Sequence, residues 1–282
     1  TGGPHQTIIP GPCHSAFRVG VNGAFTLDSA YSAGYSGSDF VAITQQPTSP
    51  AQYCVLNNSK VSIHNANDTS VTVSCTRFSY ITNAADNTLS AYSVDANTGA
   101  LTAIGTPTAA GESPHAILGL DSNYFDDKKY VFVANGGSND VSAFIVDSAT
   151  GTLNTVPGSP FPAGTDPQAM ASDGSSLYVA NAGSDNVYVY NIDVMNTGTL
   201  AKPSTFATGK SPTSIVVGAT VFVANHGGSN DISAFITSET AMPDGLPNRI
   251  DLTPVPGSPF PAGGNPLSLA LGARGKFLYS AN

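Results

Sequence analysis

The chain has 282 residues, of which 40% are hydrophobic and only 10% are Asp, Glu, Lys or Arg. This composition is ordinary for a globular protein with a core, and no run of about 18 apolar residues predicts a membrane-spanning helix. The net charge of −9 and the scattered Lys and Arg residues argue against nucleic-acid binding, because phosphates are bound by clustered cations.

Residues 1–15 contain three Pro and three Gly and predict an extended N-terminal arm. Cys13 lies in this arm without an obvious partner in the chain. A free thiol, a bond to another chain and a bond to a segment outside this sequence all remain open. The absence of a second cysteine before His14 argues against haem attachment.

Residues 16–76 predict a small β module. Cys54 and Cys75 lie at the two ends of a predicted hairpin, "CVLNNSKVSIHNANDTSVTVSC". A disulfide between them would close a loop of about twenty residues and contribute on the order of 3 kcal/mol. The alternative is a pair of buried thiols in a reducing compartment.

From residue 78 onwards the sequence repeats. The copies are "FSYITNAADNTLSAYSV", "YVFVANGGSNDVSAFIV", "LYVANAGSDNVYVYNI" and "VFVANHGGSNDISAFI", and the C-terminal "FLYSAN" is the first half of a fifth copy. The Asn residues that end the first strand of each copy are spaced by 52, 46, 44 and 57 residues. A fixed period of this size indicates a repeat architecture.

Each repeat predicts four short strands. An apolar run without polar alternation is typical of a strand covered on both faces, and the Gly, Ser, Asn and Asp residues that follow it favour a tight turn. A second strand, a "TG-x-L" turn into a third strand, and a Pro-preceded segment such as "SPHAILGL" complete the unit. Four strands in such a period are the pattern of a β-propeller blade, which makes the predicted fold class all-β.

The "YVAN-x-GS-[ND]-[ND]-V" pattern and the "VPGSPFPAG" segments at 156–164 and 255–263 resemble the YVTN repeats of lactonase-like β-propellers, the wider family of 6-phosphogluconolactonase. The resemblance implies a propeller over residues 77–282, with four repeats and a strand of a fifth. The segments "SGSDFVAITQQPTSPAQYCVL" and "TSVTVSC" resemble a small β-sandwich-like module that precedes such repeats in exported bacterial proteins. This second resemblance implies an extracellular or cell-surface location and the Cys54–Cys75 disulfide.

His115, at the start of a predicted inner strand, is the candidate catalytic residue. The resemblance implies that its side chain would face the propeller axis, where a lactonase needs a base or a polarising group. The equivalent positions in the other repeats hold Gln168, Thr213 and Leu267, which offer no catalytic companion. We therefore interpret His115 as a polar residue that bonds to backbone or water.

The acidic and amide residues of the repeat turns raise the question of calcium. Each turn carries one carboxylate, whereas calcium takes six to eight converging oxygens, so turn bonding is the better interpretation. No paired metal-ligand spacing involves the other histidines, and we predict neither a metal nor a cofactor. The turn residues are Asn139, Asp140, Asp185, Asn186, Asn230 and Asp231, and the other histidines are His5, His14, His64 and His226.

The strand count favours a non-catalytic, exported scaffold. If residues 265–271 close the ring by supplying the first strand of the first blade, the last strand, with Phe277, Leu278 and Tyr279, is left without a partner. Either further blades of a longer propeller would pair with this strand, or the strand pairs with another chain. We predict self-association into a filament or surface layer, through this strand and the arm that carries Cys13.

Two other functions stay open. The first is a lactonase-type hydrolase of sugar acids, which rests on the family resemblance and His115. The second is a propeller that binds a glycan or a protein through the insertion "SETAMPDGLPNRI" at 238–250.

Overall fold

The computed structural model describes the strands at residues 6–10, 17–19, 37–45, 53–57, 60–63 and 72–76, and it describes side chains as well from residue 77 onwards, except at 96–97, 122–127, 241–248 and 273–274. Within these ranges every regular element is a β-strand, which confirms the all-β prediction. No described segment forms a helix of the length and apolar character needed to cross a membrane.

The strands, in chain order, are β1 (Gln6–Pro10), β2 (Phe17–Val19), β3 (Gly37–Gln45), β4 (Tyr53–Asn57), β5 (Lys60–Ile63), β6 (Thr72–Asn83), β7 (Thr88–Val94), β8 (Leu101–Ala103), β9 (Thr108–Ala109), β10 (Pro114–Asp121), β11 (Lys129–Asn135), β12 (Asp140–Val146), β13 (Leu153–Thr155), β14 (Phe161–Pro162), β15 (Pro167–Ser172), β16 (Ser176–Asn181), β17 (Asn186–Asn191), β18 (Ser204–Ala207), β19 (Pro212–Val217), β20 (Thr220–Asn225), β21 (Asp231–Thr240), β22 (Arg249–Pro254), β23 (Phe260–Pro261), β24 (Ser268–Gly272) and β25 (Phe277–Ala281).

The chain divides into two compact units. The first consists of residues 1–79, 92–104 and 148–151, and the second of 80–91, 105–147 and 152–282. The domain boundaries expected from the sequence, 1–15, 16–76 and 77–282, stay a prediction.

The first unit contains a four-stranded antiparallel sheet in the order β2-β1-β3-β5. Strand β4 pairs antiparallel with the beginning of β6, and in this register Cys54 lies directly opposite Cys75. The side chains of both cysteines, and Cys13, lie outside the described residues.

The second unit contains three successive blades. Blade A has the order β10-β11-β12-β13, blade B β15-β16-β17-β18, and blade C β19-β20-β21-β22. All neighbours in these sheets are antiparallel, and the first strands of consecutive blades contact each other. This arrangement confirms the propeller architecture predicted from the repeats.

The core of this unit lies between neighbouring blades. Tyr130 and Phe132 of blade A pack with Leu177 and Tyr190 of blade B. Tyr178, the residue directly after Leu177, points to the other face of blade B and packs with blade C. Strands β11 and β16 are buried along almost their whole length because both faces of the sheet are covered.

The last strand of the chain has a partner within the chain. Strand β24 pairs with β25, with Leu269 opposite Ser280 and Leu271 opposite Leu278. The expectation that residues 265–271 close the ring by pairing with the first blade is therefore wrong. In the sheet order β4-β6-β7-β8, strand β4 pairs with residues 72–76 of β6.

Candidate functional site

The blades meet through a hydrogen bond that is repeated four times. The residue before the Pro that starts each inner strand has a positive φ, between 49° and 57°. Its backbone N–H donates to a turn side chain of the preceding repeat: Ser113 to Asn87 (2.9 Å), Asp166 to Asn139 (2.7 Å), Ser211 to Asp185 (2.8 Å) and Asn265 to Asn230 (3.0 Å). The Asn or Asp of each turn is thus a connector between repeats.

The second polar residue of each turn is bound by the Asn that ends the preceding strand. The side-chain Nδ2 of Asn135, which is fully buried, donates to Asp140 Oδ1 at 2.7 Å and to Ser142 Oγ at 2.9 Å. Asn225 makes the same two bonds in blade C, to Asp231 and Ser233. These bonds engage the turn oxygens that the sequence raised as calcium ligands.

No cluster of three or more His, Cys, Asp or Glu residues in the described ranges could hold a metal ion. The turn residues Asp140, Asn186 and Asp231 each accept from a buried Asn of their own blade. Asn139, Asp185 and Asn230 accept from the next repeat, so the turn bonding predicted from the sequence reaches across blades as well as within them.

One of the four junctions carries a histidine on its inner strand. His115, on β10, lies in what we call the A–B junction, the turn Gly136–Asp140 of blade A together with the starts of β10 and β15. The Gln168 Nε2 lies 2.8 Å from His115 Nδ1 and donates at 2.7 Å to Asp166 Oδ1. The same carboxylate oxygen lies 3.7 Å from His115 Nδ1. A histidine, an amide and a carboxylate therefore meet at this junction.

The amide contact fixes the chemistry of the imidazole. Because the Gln168 amide nitrogen can only donate, His115 Nδ1 accepts, and the neutral ring carries its proton on Nε2. The side chains of His115 and Asp166 are 34% and 43% exposed, so both are within reach of a molecule from solvent. An N–H donor and a carboxylate base thus lie side by side on an accessible surface.

Asp166 was missed by the sequence analysis, which considered only the positions equivalent to His115. Its left-handed backbone, with a φ of 53°, is one that Asp adopts more readily than most residues. The sequence does carry a signal for Asp166, because its carboxylate directly precedes Pro167, which starts the next inner strand. The sequence analysis did name Gln168, but only as a residue without a catalytic group and not as a hydrogen-bond partner of His115.

At the next junction the charged pair is different. Lys210 Nζ lies 2.6 Å from Asp185 Oδ2, and the Ser211 N–H donates to Asp185 Oδ1. The hydrogen bond from Lys210, followed by that from Ser211, lowers the pKa of Asp185 below its usual value. The inner-strand position here is Thr213, whose hydroxyl donates to the Pro266 carbonyl oxygen at 3.1 Å.

Three of the four residues predicted to mediate assembly lie on β25, and the fourth, Cys13, lies outside the described residues. Phe277 and Tyr279 are more than half exposed, whereas Leu278 packs against the cluster of Ala224, Ile232 and Leu269. The insertion predicted to bind a partner extends β21 and β22, which pair as far as Thr240 and Arg249, and its residues 241–248 lie outside the described residues.

The model of one protein family, "Lactonase, 7-bladed beta-propeller", matches residues 29–166 and 75–217. The two matches together cover about two thirds of the chain. The chain belongs to this lactonase family. The sequence resemblance to lactonase-like propellers is thereby confirmed. Among curated proteins, none matches the chain closely enough to count as a relative.

Solved structures of similar fold include three with lactonase names. A candidate 6-phosphogluconolactonase from Bacteroides uniformis is 23% identical over 68% of this chain and 56% of its own, with a TM-score of 0.47. A second candidate, from Bacteroides fragilis, is 19% identical over 87% and 68%, with a TM-score of 0.50. The periplasmic gluconolactonase of Pseudomonas aeruginosa is 18% identical over 69% and 56%, with a TM-score of 0.50. The chain thus spans little more than half the length of two of these proteins.

The hypothesis of a non-catalytic scaffold is wrong, and the family match to lactonases overturns it. The strand count that favoured the scaffold also fails as a ground for it. The last strand is paired with β24 rather than left alone. His115 also lies close to a carboxylate, Asp166, that a comparison of equivalent repeat positions does not find.

Proposed function

We propose that the protein hydrolyses the ester bond of a sugar lactone at the A–B junction. The observation that carries this proposal is the contact of His115 with Gln168 and Asp166 in a member of the lactonase family. A lactone is a cyclic ester, so its hydrolysis needs a donor for the carbonyl oxygen and an acceptor for the proton of the attacking water.

The two roles are divided between neighbouring side chains. His115 donates from Nε2 to the carbonyl oxygen and stabilises the negative charge that develops there when water adds to the carbonyl carbon. Asp166 takes the proton that the water loses. The bond between the carbonyl carbon and the ring oxygen then breaks, the ring oxygen takes up the proton that Asp166 received, and the product is the open-chain hydroxy acid.

The test is hydrolysis of a panel of sugar lactones, with and without a phosphate group, measured as the rate above spontaneous opening. Loss of a single positioned donor lowers kcat by about 10²–10³-fold, so His115→Ala should fall by this amount. Leu267→Ala is the matched control, since Leu267 occupies the equivalent position in a later repeat and is 56% exposed. Wild-type and His115→Ala rates that agree on every lactone would refute the proposal.

We further propose that the protein works outside the reducing cytoplasm, with a disulfide between Cys54 and Cys75. The support is the register of β4 and β6, which sets these two residues directly opposite each other. Directly opposed residues of an antiparallel pair have Cβ atoms about 4.5–5.5 Å apart, close to the spacing of a disulfide. Peptide mass mapping without reductant should find the Cys54–Cys75 cross-link, and two alkylated free thiols would contradict it.

A further inference from the structure

One turn position distinguishes the A–B junction from its counterparts. It directly follows the buried Asn of each blade and holds Gly136 in blade A, Ala182 in blade B and His226 in blade C. Its backbone N–H makes the same bond in all three, to the carbonyl oxygen of Ser113 (2.9 Å), Asp166 (2.8 Å) and Ser211 (3.0 Å). The backbone is therefore equivalent, and the residues differ only in the side chain.

The space that a side chain would fill at Gly136 is occupied by the side chains of His115 and Asp166. A Cβ atom on Gly136 would lie 2.5 Å from both Cε1 and Nδ1 of His115, and 2.9 Å from Asp166 Oδ1. Gly136 is not among the glycines with positive φ, so the backbone itself does not require glycine. The missing side chain thus makes room for the imidazole and the carboxylate.

We propose that Gly136 is a positioning residue, whose lack of a Cβ admits the His115 ring beside Asp166 and Gln168. The inference rests on the proposed function of His115 and Asp166. Ordinary contacts of a Cβ are about 3.4–4 Å, so an alanine would displace the ring by about 1 Å, and a misplacement of this size costs about 10²-fold in rate. The assignment predicts that the smallest possible side chain abolishes most of the activity.

The experiment compares Gly136→Ala with Gly119→Ala. Gly119 lies on the same strand as His115, is exposed, and has no atom within 4 Å of the position that a Cβ would take, so it is the matched control. We expect kcat/KM on the best sugar lactone to fall about 10²-fold in Gly136→Ala and to stay within about twofold in Gly119→Ala. Equal activity of Gly136→Ala and wild type would overturn the proposal.

A second measurement does not depend on activity. The imidazole ¹⁵N shifts of His115, assigned by their loss in His115→Ala, report the tautomer held by Gln168. They should move in Gly136→Ala, while those of His226 stay in place. Unchanged His115 shifts would overturn the proposal even if activity fell. If the wild type hydrolyses no lactone, the proposed function fails, and these shifts still decide whether Gly136 positions the ring.

The third measurement covers a variant that folds poorly. If Gly136→Ala lowers Tm because of the clash with His115, then removing the ring should relieve the loss. We expect Gly136→Ala to lower Tm less in the His115→Ala background than in the wild type. An identical loss in both backgrounds would place the clash elsewhere and refute the assignment.

Discussion

The A–B and B–C junctions have the same backbone and different chemistry. In both, a turn side chain accepts the N–H of the residue before the inner-strand Pro, at 2.7 Å from Asn139 and 2.8 Å from Asp185. The side chains on this frame differ: His115, Gln168 and Asp166 meet at the first junction, whereas Asp185 pairs with Lys210 at the second. The repeated bonds thus fix the fold, and the residues that vary between repeats determine the function.

The difference also separates two kinds of polar residue. Asn135, Asn181 and Asn225 are fully buried, and their bonds to the turn residues are internal to one blade. His115 and Asp166 are partly exposed, and they contact each other only because two blades meet. Variants of the first kind should therefore change stability, and variants of the second kind should change activity.

The largest expected effect is on activity, from Asp166→Asn. The amide keeps the shape and tolerates the left-handed backbone, but it cannot take a proton from water, so kcat/KM on a sugar lactone should fall by about 10²–10⁴-fold. The mirror variant Asn265→Asp, at the equivalent position two junctions on, should leave the rate unchanged. Both rates are measured as lactone loss in buffer. Comparable activity of Asp166→Asn and wild type would remove Asp166 from the mechanism.

The second prediction concerns the hydrogen bonds of the buried Asn residue that recurs in blades A, B and C. Asn181→Ala removes the acceptor of the Gly164 N–H and the donor to Asn186 Oδ1, at 3.2 Å and 2.9 Å. Asn186 Oδ1 still accepts from Ser184 Oγ, but the buried Gly164 N–H is left unpaired. An unpaired buried group costs about 1–3 kcal/mol, so the free energy of unfolding in urea should fall by that amount.

The control for Asn181→Ala is kcat for lactone hydrolysis, expressed per folded molecule. Asn181 belongs to blade B and contacts neither His115 nor Asp166 in the bonds described above, so kcat should stay near the wild-type value. A variant as stable as wild type would contradict the predicted stability loss. A folded variant without activity would show that the buried Asn bonds and the A–B junction do not act separately.

The sequence was sufficient to predict the repeats because their signals are local. Apolar runs such as Val131–Ala134 specify buried strands, and the Gly, Ser, Asn and Asp residues after them specify turns. It could not specify which strand edges pair over long distances. The partner of β25 was therefore predicted wrongly, since β24 fits either ring closure or a hairpin from its composition alone.

The site was only half predictable for a related reason. His115 carries its own chemical signal, but Gln168 contacts it from 53 residues along the chain, across the gap between two blades. Comparing equivalent positions of the repeats placed His115 opposite Gln168, Thr213 and Leu267 and thereby hid Asp166, which occupies a different position of the repeat. The contact between His115 and Asp166 joins non-equivalent positions of two repeats, and such a contact becomes visible only when the blades are packed side by side.

The smallest expected effect is the pH dependence of stability at the B–C junction. Asp185 has a lowered pKa in the folded protein, so its bonds to Lys210 and Ser211 stabilise the fold above the ordinary Asp pKa of about 3.9 and are lost as the pH falls through the folded value. Lys210 is 70% exposed, and pairs of this kind contribute about 0.2–1 kcal/mol. Asp185→Asn should therefore be less stable than wild type at about pH 7 by this small amount, and the gap should close below about pH 4.

Urea unfolding of both proteins between about pH 7 and pH 3 measures this gap. Asn139→Asp is the matched control, because it places a carboxylate at the equivalent turn position of the A–B junction, where the loop residue is Thr165 instead of Lys210. Without a cation beside it, this new carboxylate should add no stability at neutral pH. A gap between Asp185→Asn and wild type that stays constant with pH would mean that the charge of Asp185 contributes nothing to stability, and the proposed electrostatic difference between the two junctions would be refuted.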